Sequence, residues 1–262
     1  MKEPKSMSNT KMSRNIFLAV VALFLTTVVF TGCGKESADD LLDKGQAAFV
    51  SKDYETAIRY FTSAAELGNA DAQQNLGSCY HAGTGVKQDY AMALEWFRKA
   101  AAQNHPMAHY SLGICYEYGE GVEKDMAKAV ERYRKSAELG YAEAQLRLSM
   151  LCHYGEGVEK NDAEAMKWLR KAAEQGHPEA QFVLGLTFYL GQNVKKDPAE
   201  AVKWFRLSAE QGHADAQFCL GECYRTGDGV AKDLAEAKTW YAKAAAQGNA
   251  EARVLLRQLG SK

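Results

Sequence analysis

Residues 106–141 read PMAHYSLGICYEYGEGVEKDMAKAVERYRKSAELGY, and this 36-residue pattern recurs five times between Ala70 and Asn249 without an insertion or deletion. The units cover residues 70–105, 106–141, 142–177, 178–213 and 214–249. The columns that keep one residue type in all five units include those that begin with Leu76, Val86 and Ala93 in the first. A fixed period of this length is typical of a solenoid, in which each repeat buries its apolar face against its neighbours. Such a protein presents a long, uniform surface rather than the convergent pocket that catalysis needs.

Each unit is predicted to fold as two helices joined by a tight turn. In the second unit, Ala108, Leu112 and Tyr116 recur at four-residue spacing, which places them on one face of a first helix. Gly119 and Gly121 follow, and paired glycines permit the positive φ values that a tight helix–helix turn needs. The second helix then begins at an Asp or Asn whose side chain can cap its free N–H groups, at Asp89, Asp125, Asn161, Asp197 and Asp233.

Three further columns give finer predictions about these helices. In three units a Glu follows the capping residue by three positions, close to the capping-box pattern, at Glu164, Glu200 and Glu236. A Gly, or Asn104 in one unit, lies where the second helix must end, which predicts a left-handed cap. Gly also recurs inside the first helix, at Gly77, Gly113, Gly185 and Gly221. Because a mid-helix Gly costs about 1 kcal/mol relative to Ala, its recurrence predicts a close backbone approach.

The combined motif resembles the Sel-one-like repeat family, a relative of the tetratricopeptide repeats. It consists of Ala-x-x-x-Leu-Gly-x-x-Tyr, then Gly-x-Gly-Val-x-x-Asp, then Ala-x-x-Trp-Phe-x-x-Ala-Ala. The resemblance implies an all-α, right-handed superhelical solenoid that binds a protein or peptide on its concave face, without catalysis or a cofactor. Residues 39–69 resemble a tetratricopeptide hairpin that lacks the glycine turn and are expected to form an N-terminal cap. Residues 250–262 are expected to form a polar-faced closing helix.

The N-terminus is predicted to be a lipoprotein signal peptide over residues 1–32. A basic segment precedes the apolar stretch Ile16–Phe30, and Phe30-Thr31-Gly32-Cys33 resembles a bacterial lipobox, with Cys33 as the lipidated residue. A transmembrane anchor is the alternative, but fifteen residues span only about 22 Å of a hydrocarbon core of about 30 Å. Residues 33–38 would form a tether. By resemblance to enterobacterial lipoproteins, Gly34 favours transfer to the outer membrane, with the repeats facing the periplasm.

The charge pattern argues against a nucleic-acid partner. Removal of the signal takes away four basic residues and one acidic residue, which moves the net charge from −1 to −4. The sequence contains no basic patch or stripe of the kind that nucleic-acid-binding proteins use. The expected partners are the proteins or peptides that the family resemblance implies, together with a membrane through the N-terminal lipid.

The cysteines and histidines do not form a recognisable catalytic or metal motif. Cysteines in the repeats are expected to be small buried apolar residues, although disulfides are left open, at Cys79, Cys115, Cys152, Cys219 and Cys223. His105, His177 and His213 share a column at the junction between units and are separated by one or two whole repeats, so they are not expected to converge on one ion. Some members of the resembled family are described as penicillin-binding. A cell-wall or β-lactam hydrolase is the alternative function, but the Ser-x-x-Lys pattern occurs only within the signal, at Ser8–Lys11.

The candidate binding residues follow from the register of the first helices. In tetratricopeptide-type solenoids the inner face is lined by positions two before, two after and six after the buried Leu of the first helix. Carried over to units two to four, these positions give Tyr110, Ile114 and Tyr118; Leu146, Met150 and Tyr154; and Phe182, Leu186 and Leu190. The flanking units are more polar in these columns, so the apolar stripe is central and bounded, unlike the polar inner face expected of a structural spacer. The alternative is that neighbouring helices bury these residues as inter-repeat core.

Overall fold

The computed structural model describes residues 36–260, and every regular element in that range is an α-helix. The helices are α1 Ala38–Val50, α2 Tyr54–Glu66, α3 Ala70–Ala82, α4 Tyr90–Ala102, α5 Pro106–Tyr118, α6 Met126–Glu138, α7 Ala142–Tyr154, α8 Asp162–Glu174, α9 Pro178–Leu190, α10 Pro198–Glu210, α11 Ala214–Thr226, α12 Leu234–Ala246 and α13 Ala250–Gly260. The all-α prediction is confirmed. The predicted signal peptide and Cys33 lie outside the described residues. Within residues 36–260, no helix combines the length and apolar character needed to cross a membrane.

The helices form a linear array in which each one packs against its neighbours along the chain. In every 36-residue unit the odd-numbered helix comes first and the even-numbered helix second, and we call them first and second helices. The invariant columns form the core, since Leu148 and Leu184 from first helices and Ala129 and Ala201 from second helices are completely buried. At the C-terminal end, α13 buries Ala252 and exposes Arg253, as the closing-helix interpretation requires.

The predicted caps and turns are present. The side chain of Asp125 accepts a hydrogen bond from the backbone N–H of Lys128, three residues into α6. Gly119 and Gly121 have φ values of 77° and 69°, and Asn104, which replaces Gly after α4, has a φ of 59°. These conformations are strained for most residues with a side chain, which explains the residue types that the sequence uses there.

The capping-box prediction is wrong for Glu164 and Glu200. Their carboxylates accept hydrogen bonds from the indole N–H of the tryptophan one turn later, Trp168 at 3.1 Å and Trp204 at 3.0 Å. Trp168 is buried and Trp204 is half-buried, so a carboxylate one turn earlier satisfies an indole donor that burial would otherwise leave unpaired. In these two units the acidic column therefore orients the tryptophan.

The recurring glycine of the first helix makes room for an aromatic ring. A Cβ atom at Gly113 would lie 2.5 Å from a ring carbon of Tyr133, and one at Gly185 would lie 2.6 Å from a ring carbon of Phe205. The close approach predicted from the sequence is thus chiefly to a side chain of the second helix rather than to backbone. In the third unit both positions change together, because Ser149 replaces the glycine and Leu169 replaces the aromatic residue.

Pairs of glutamines fasten successive repeats together, a feature that the sequence analysis did not identify. The side-chain amide of Gln181 donates to the carbonyl of Ala173 at the end of the preceding helix, at 3.2 Å, and its Oε1 accepts from Gln211 at 2.8 Å. The same arrangement occurs in three other units, at Gln73 with Gln103, Gln145 with Gln175 and Gln217 with Gln247. We call each pair a glutamine clasp. In the second unit His109 and Leu139 occupy the two columns, so this clasp is replaced.

The junction histidines cap the first helices and contact the preceding repeat. In His105 the Nδ1 atom accepts from the backbone N–H of Ala108 at 3.2 Å, and Nε2 lies 2.9 Å from Oδ1 of Asp71. His213 makes the equivalent contacts with Ala216 and with Glu179. Because a carboxylate only accepts hydrogen bonds, these contacts require a proton on Nε2 and a free lone pair on Nδ1. The interpretation of these histidines as junction residues is confirmed.

Candidate partner-binding face

The nine predicted binding residues lie on α5, α7 and α9, and none of them is fully buried. The most exposed are Tyr118 at 64%, Tyr154 at 65%, Leu190 at 56% and Met150 at 41%. We call these four residues the apolar row. The other five are half-buried, and they are Tyr110, Ile114, Leu146, Phe182 and Leu186.

The half-buried members contribute to packing between repeats. Tyr110 and Ile114 pack against the core cluster of the second and third units, and Phe182 and Leu186 pack against that of the fourth and fifth. Each predicted trio therefore changes in character along its helix. Its first residue supports the neighbouring repeat, and its last residue projects into solvent at the C-terminal end of the first helix.

A cavity of about 230 Å³ opens beside the apolar row between α7 and α9. Leu146, Met150 and Tyr154 line its α7 side, and Val183 and Thr187 line its α9 side. Two second-helix residues, Ala165 and Leu169, also contact the cavity, so it reaches inward between the two first helices. Since Leu169 replaces the aromatic ring of the other units, part of this space is what a ring would have filled.

The rim of this cavity is polar. His153 and Asp162 lie on one side, where Nδ1 of the histidine is 2.7 Å from Oδ1 of the aspartate, and Glu179 lies among the lining residues of α9. An apolar floor with polar groups at its edge is the usual composition of a protein-binding pocket. Three further cavities also lie between consecutive first helices, α1 with α3, α3 with α5 and α11 with α13.

A buried carboxylate holds the first half of this face in place. Glu117, which precedes Tyr118 on α5, is 6% exposed and accepts hydrogen bonds from the hydroxyl of Tyr133 at 2.7 Å and from the guanidinium of Arg147. Burial alone would raise the pKa of Glu117, but the hydrogen bonds from Arg147 and Tyr133 outweigh it and lower the pKa. The carboxylate is therefore ionised at neutral pH and connects three consecutive helices, α5, α6 and α7.

The five cysteines within residues 36–260 are free thiols. All are buried except Cys219, which is half-buried. Burial raises the pKa of Cys79 to about 11 and is the main cause that raises the pKa of Cys115 to about 12. A protonated thiol is a poor nucleophile, so in the metal-free protein these side chains act as small apolar residues under neutral conditions.

Stacked helical hairpins with an exposed apolar row define the class of this protein as an all-α repeat superhelix of the protein-interaction type. The chain belongs to the Sel1 repeat family, whose model matches residues 38–69, 70–105, 106–141, 142–177, 178–213 and 214–249. The match covers the five predicted units and extends to the hairpin formed by α1 and α2.

Solved structures resemble the chain over most of its length. The chain is 37% identical to a Sel1 repeat protein from Oxalobacter formigenes, with a TM-score of 0.72 over 83% of this chain and 86% of that one. It is 33% identical to a protective antigen of uropathogenic Escherichia coli that displays an SLR fold, over 84% of this chain and 56% of that one, with a TM-score of 0.44. An immunity protein from Pseudomonas aeruginosa shares the fold at 23% identity and a TM-score of 0.55, over 79% of this chain and 80% of that one. None of the curated proteins matches the chain.

Proposed function

We propose that this protein is a lipid-anchored scaffold of the bacterial cell envelope that binds a peptide or protein segment on the face formed by its first helices. Membership of a family of interaction scaffolds supports the general function. The observation that carries the proposal is the coincidence of the apolar row with the cavity between α7 and α9. The family and the site give no support to the alternative of a cell-wall or β-lactam hydrolase.

The expected partner is a polypeptide segment that places an apolar side chain in the cavity and extends along the apolar row. Tyr118 and Tyr154 stand at equivalent ends of α5 and α7, one repeat apart, so an extended segment can contact both. Large exposed aromatic residues are the usual anchors of protein interfaces, because they lose little conformational entropy on binding. The polar rim of His153, Asp162 and Glu179 would then contact the backbone or polar side chains of the segment.

Site-specific photocrosslinking in intact cells tests the binding face. A photoreactive residue at position 118 or 154 should yield a discrete crosslinked product, whereas the same residue at Leu207 should not. Leu207 is a matched control because it is 44% exposed but lies on the second helix α10. Equal products at positions 154 and 207 would contradict the proposal.

Substitution of the two tyrosines separates binding from folding. Changing Tyr118 and Tyr154 to Ser should abolish the crosslink from position 150, while the melting temperature moves by only a few degrees, because both side chains are mostly in solvent. Loss of the fold in this variant would instead assign these residues to the core, against the proposal.

The envelope location is supported by the lipobox-like sequence that ends at Cys33. Lipid attachment needs the thiol, so Cys33→Ala should accumulate as an unprocessed precursor without lipid. Mass spectrometry of the mature N-terminus and fractionation of inner and outer membranes provide the measurement. Normal maturation of Cys33→Ala would refute the anchor while leaving the binding face untouched.

A further inference from the structure

A histidine, a cysteine and a glutamate meet where the first unit contacts the second. His81 lies near the end of α3, Cys115 lies on α5, and Glu120 follows in the turn after α5. Their ligand atoms, one from each residue, all lie within 4.8 Å of one another. Nε2 of His81 is 2.7 Å from Oε2 of Glu120, so these two side chains are already in contact across the junction.

The fold sets these three residues in one place. His81 packs its ring against Tyr90 and Phe97 of the following helix, at centroid distances of 5.3 and 6.3 Å. Cys115 is completely buried, whereas the side chains of His81 and Glu120 are 30% and 25% exposed. The cluster is thus closed on the thiol side and open to solvent on the other, which gives an ion a route of entry.

From this geometry we propose that His81, Cys115 and Glu120 form a binding site for one zinc-class divalent cation. The ligands would be Nε2 of the histidine, the sulfur of the cysteine and a carboxylate oxygen, with water in the fourth position. A tetrahedral zinc ion with normal bond lengths holds its sulfur and nitrogen ligands about 3.5 Å apart. Because all the ligand atoms lie within 4.8 Å of one another, the sulfur and its partners need to approach by about 1.3 Å at most, while Nε2 and Oε2, now 2.7 Å apart, would separate slightly. The partly exposed side chains of His81 and Glu120 can supply these movements.

The donor set selects the class of ion. A thiolate with an imidazole suits zinc and related transition metals, whereas magnesium and calcium require oxygen ligands. On binding, the thiol of Cys115 loses its proton to solvent, and the ion replaces the hydrogen bond between His81 and Glu120. The ion would therefore bridge the first and second units.

The equivalent positions at other junctions do not reproduce the set. They hold Glu117, Leu151 and Glu156 at the next junction, then His153, Thr187 and Gln192, then Tyr189, Cys223 and Asp228. The last trio retains a buried cysteine and a carboxylate but lacks the imidazole. Cys223 is for this reason a matched control for Cys115.

Metal titration of the reduced, chelator-treated mature protein tests the proposal, with zinc measured by equilibrium dialysis and cobalt by absorption spectroscopy. We expect one high-affinity ion per chain, a sulfur-to-cobalt charge-transfer band and a rise in melting temperature with added zinc. Cys115→Ser should remove the band and weaken zinc binding by at least about tenfold, and Cys223→Ser should change neither.

Two additional variants keep the test decisive if Cys115→Ser does not fold. His81→Gln and Glu120→Gln alter partly exposed side chains and should each weaken zinc binding while the helical content is retained. The proposal is overturned if the protein binds no zinc, if the cobalt complex shows no charge-transfer band, or if Cys223→Ser weakens binding as much as Cys115→Ser.

Discussion

In the third unit Ser149 and Leu169 stand where other units have a glycine and an aromatic residue, and this natural pair allows a direct test of how each hairpin is packed. In the fourth unit, a Cβ atom at Gly185 would lie 2.6 Å from a ring carbon of Phe205, a distance that packed side chains do not tolerate. Leu169→Phe places a ring at the same register position opposite Ser149, which already has a Cβ atom and a hydroxyl. We expect this overpacking to destabilise the protein by about 1–3 kcal/mol.

The second substitution should relieve the first. Ser149→Gly alone should cost about 0.5–1 kcal/mol because glycine is unfavourable inside a helix. In the double variant the ring can occupy the space above the glycine, as it does in the N-terminal hairpin and in four of the units. The pairs are Gly45 with Phe61 in the hairpin, then Gly77 with Phe97, Gly113 with Tyr133, Gly185 with Phe205 and Gly221 with Tyr241. The double variant should therefore be more stable than the sum of the single changes by about 1–2 kcal/mol.

Urea unfolding of the four proteins measures this coupling, and a chain of this size should show melting shifts of about 2–4 °C per kcal/mol. A reverse cycle with Gly185→Ser and Phe205→Leu is the internal control and should give coupling of the same sign. Additivity within about 0.5 kcal/mol in both cycles would refute the glycine–ring account of the hairpin. Because the ring also fills the floor of the cavity, the double variant should lose the crosslink from position 154 although it remains folded.

Two other predictions concern stability. Glu117→Gln should lower the free energy of unfolding by about 1–3 kcal/mol near neutral pH, and the difference from wild type should shrink as the pH falls below the ordinary carboxyl pKa of 4.5. Folding lowers the pKa of Glu117, so its stabilising contribution is present above the unfolded-state pKa and is lost as the pH falls through the folded-state pKa. Urea unfolding at several pH values measures this, and a difference that grows in acid would contradict it. Ala201→Leu, at a completely buried helix contact, should lower the free energy of unfolding by about 1–3 kcal/mol. Ala165→Leu should lower it by less, because Ala165 borders the cavity. Equal shifts in melting temperature would show that the cavity does not accept the added carbons.

The sequence predicted the parts of this fold that depend on local backbone chemistry. Asp125, Gly119 and Asn104 are required by capping and by positive φ, which are decided within a few residues, so their columns could be interpreted directly. The residues of the apolar row lie on the first helices, as predicted, because their positions follow from their spacing to the buried Leu column. The mixed exposure of the nine candidate binding residues could not be predicted, since it depends on how closely successive first helices approach.

Contacts between units were harder to predict because their partners lie about thirty residues apart. Arg147 reaches back thirty residues to Glu117, and His81 and Glu120 are thirty-nine residues apart. Within a unit, the two glutamines of a clasp are also thirty residues apart. One signal for the clasps was present in the sequence, since both glutamine columns change together in the second unit, to His109 and Leu139. Two columns that depart from their usual residues in the same repeat indicate contact between them, even when only one sequence is compared with itself.

The replacement of one glutamine clasp also has a mechanical consequence. In the proposed tethered state, tension applied through a bound partner would pass through the junctions between repeats in series, so extension should concentrate at the junction whose contacts differ from the others. The junction between α4 and α5, with His109 and Leu139, is therefore the expected hinge when the protein is pulled. The cluster of His81, Cys115 and Glu120 crosses this same junction, so an ion held there would stiffen the array at its most compliant point.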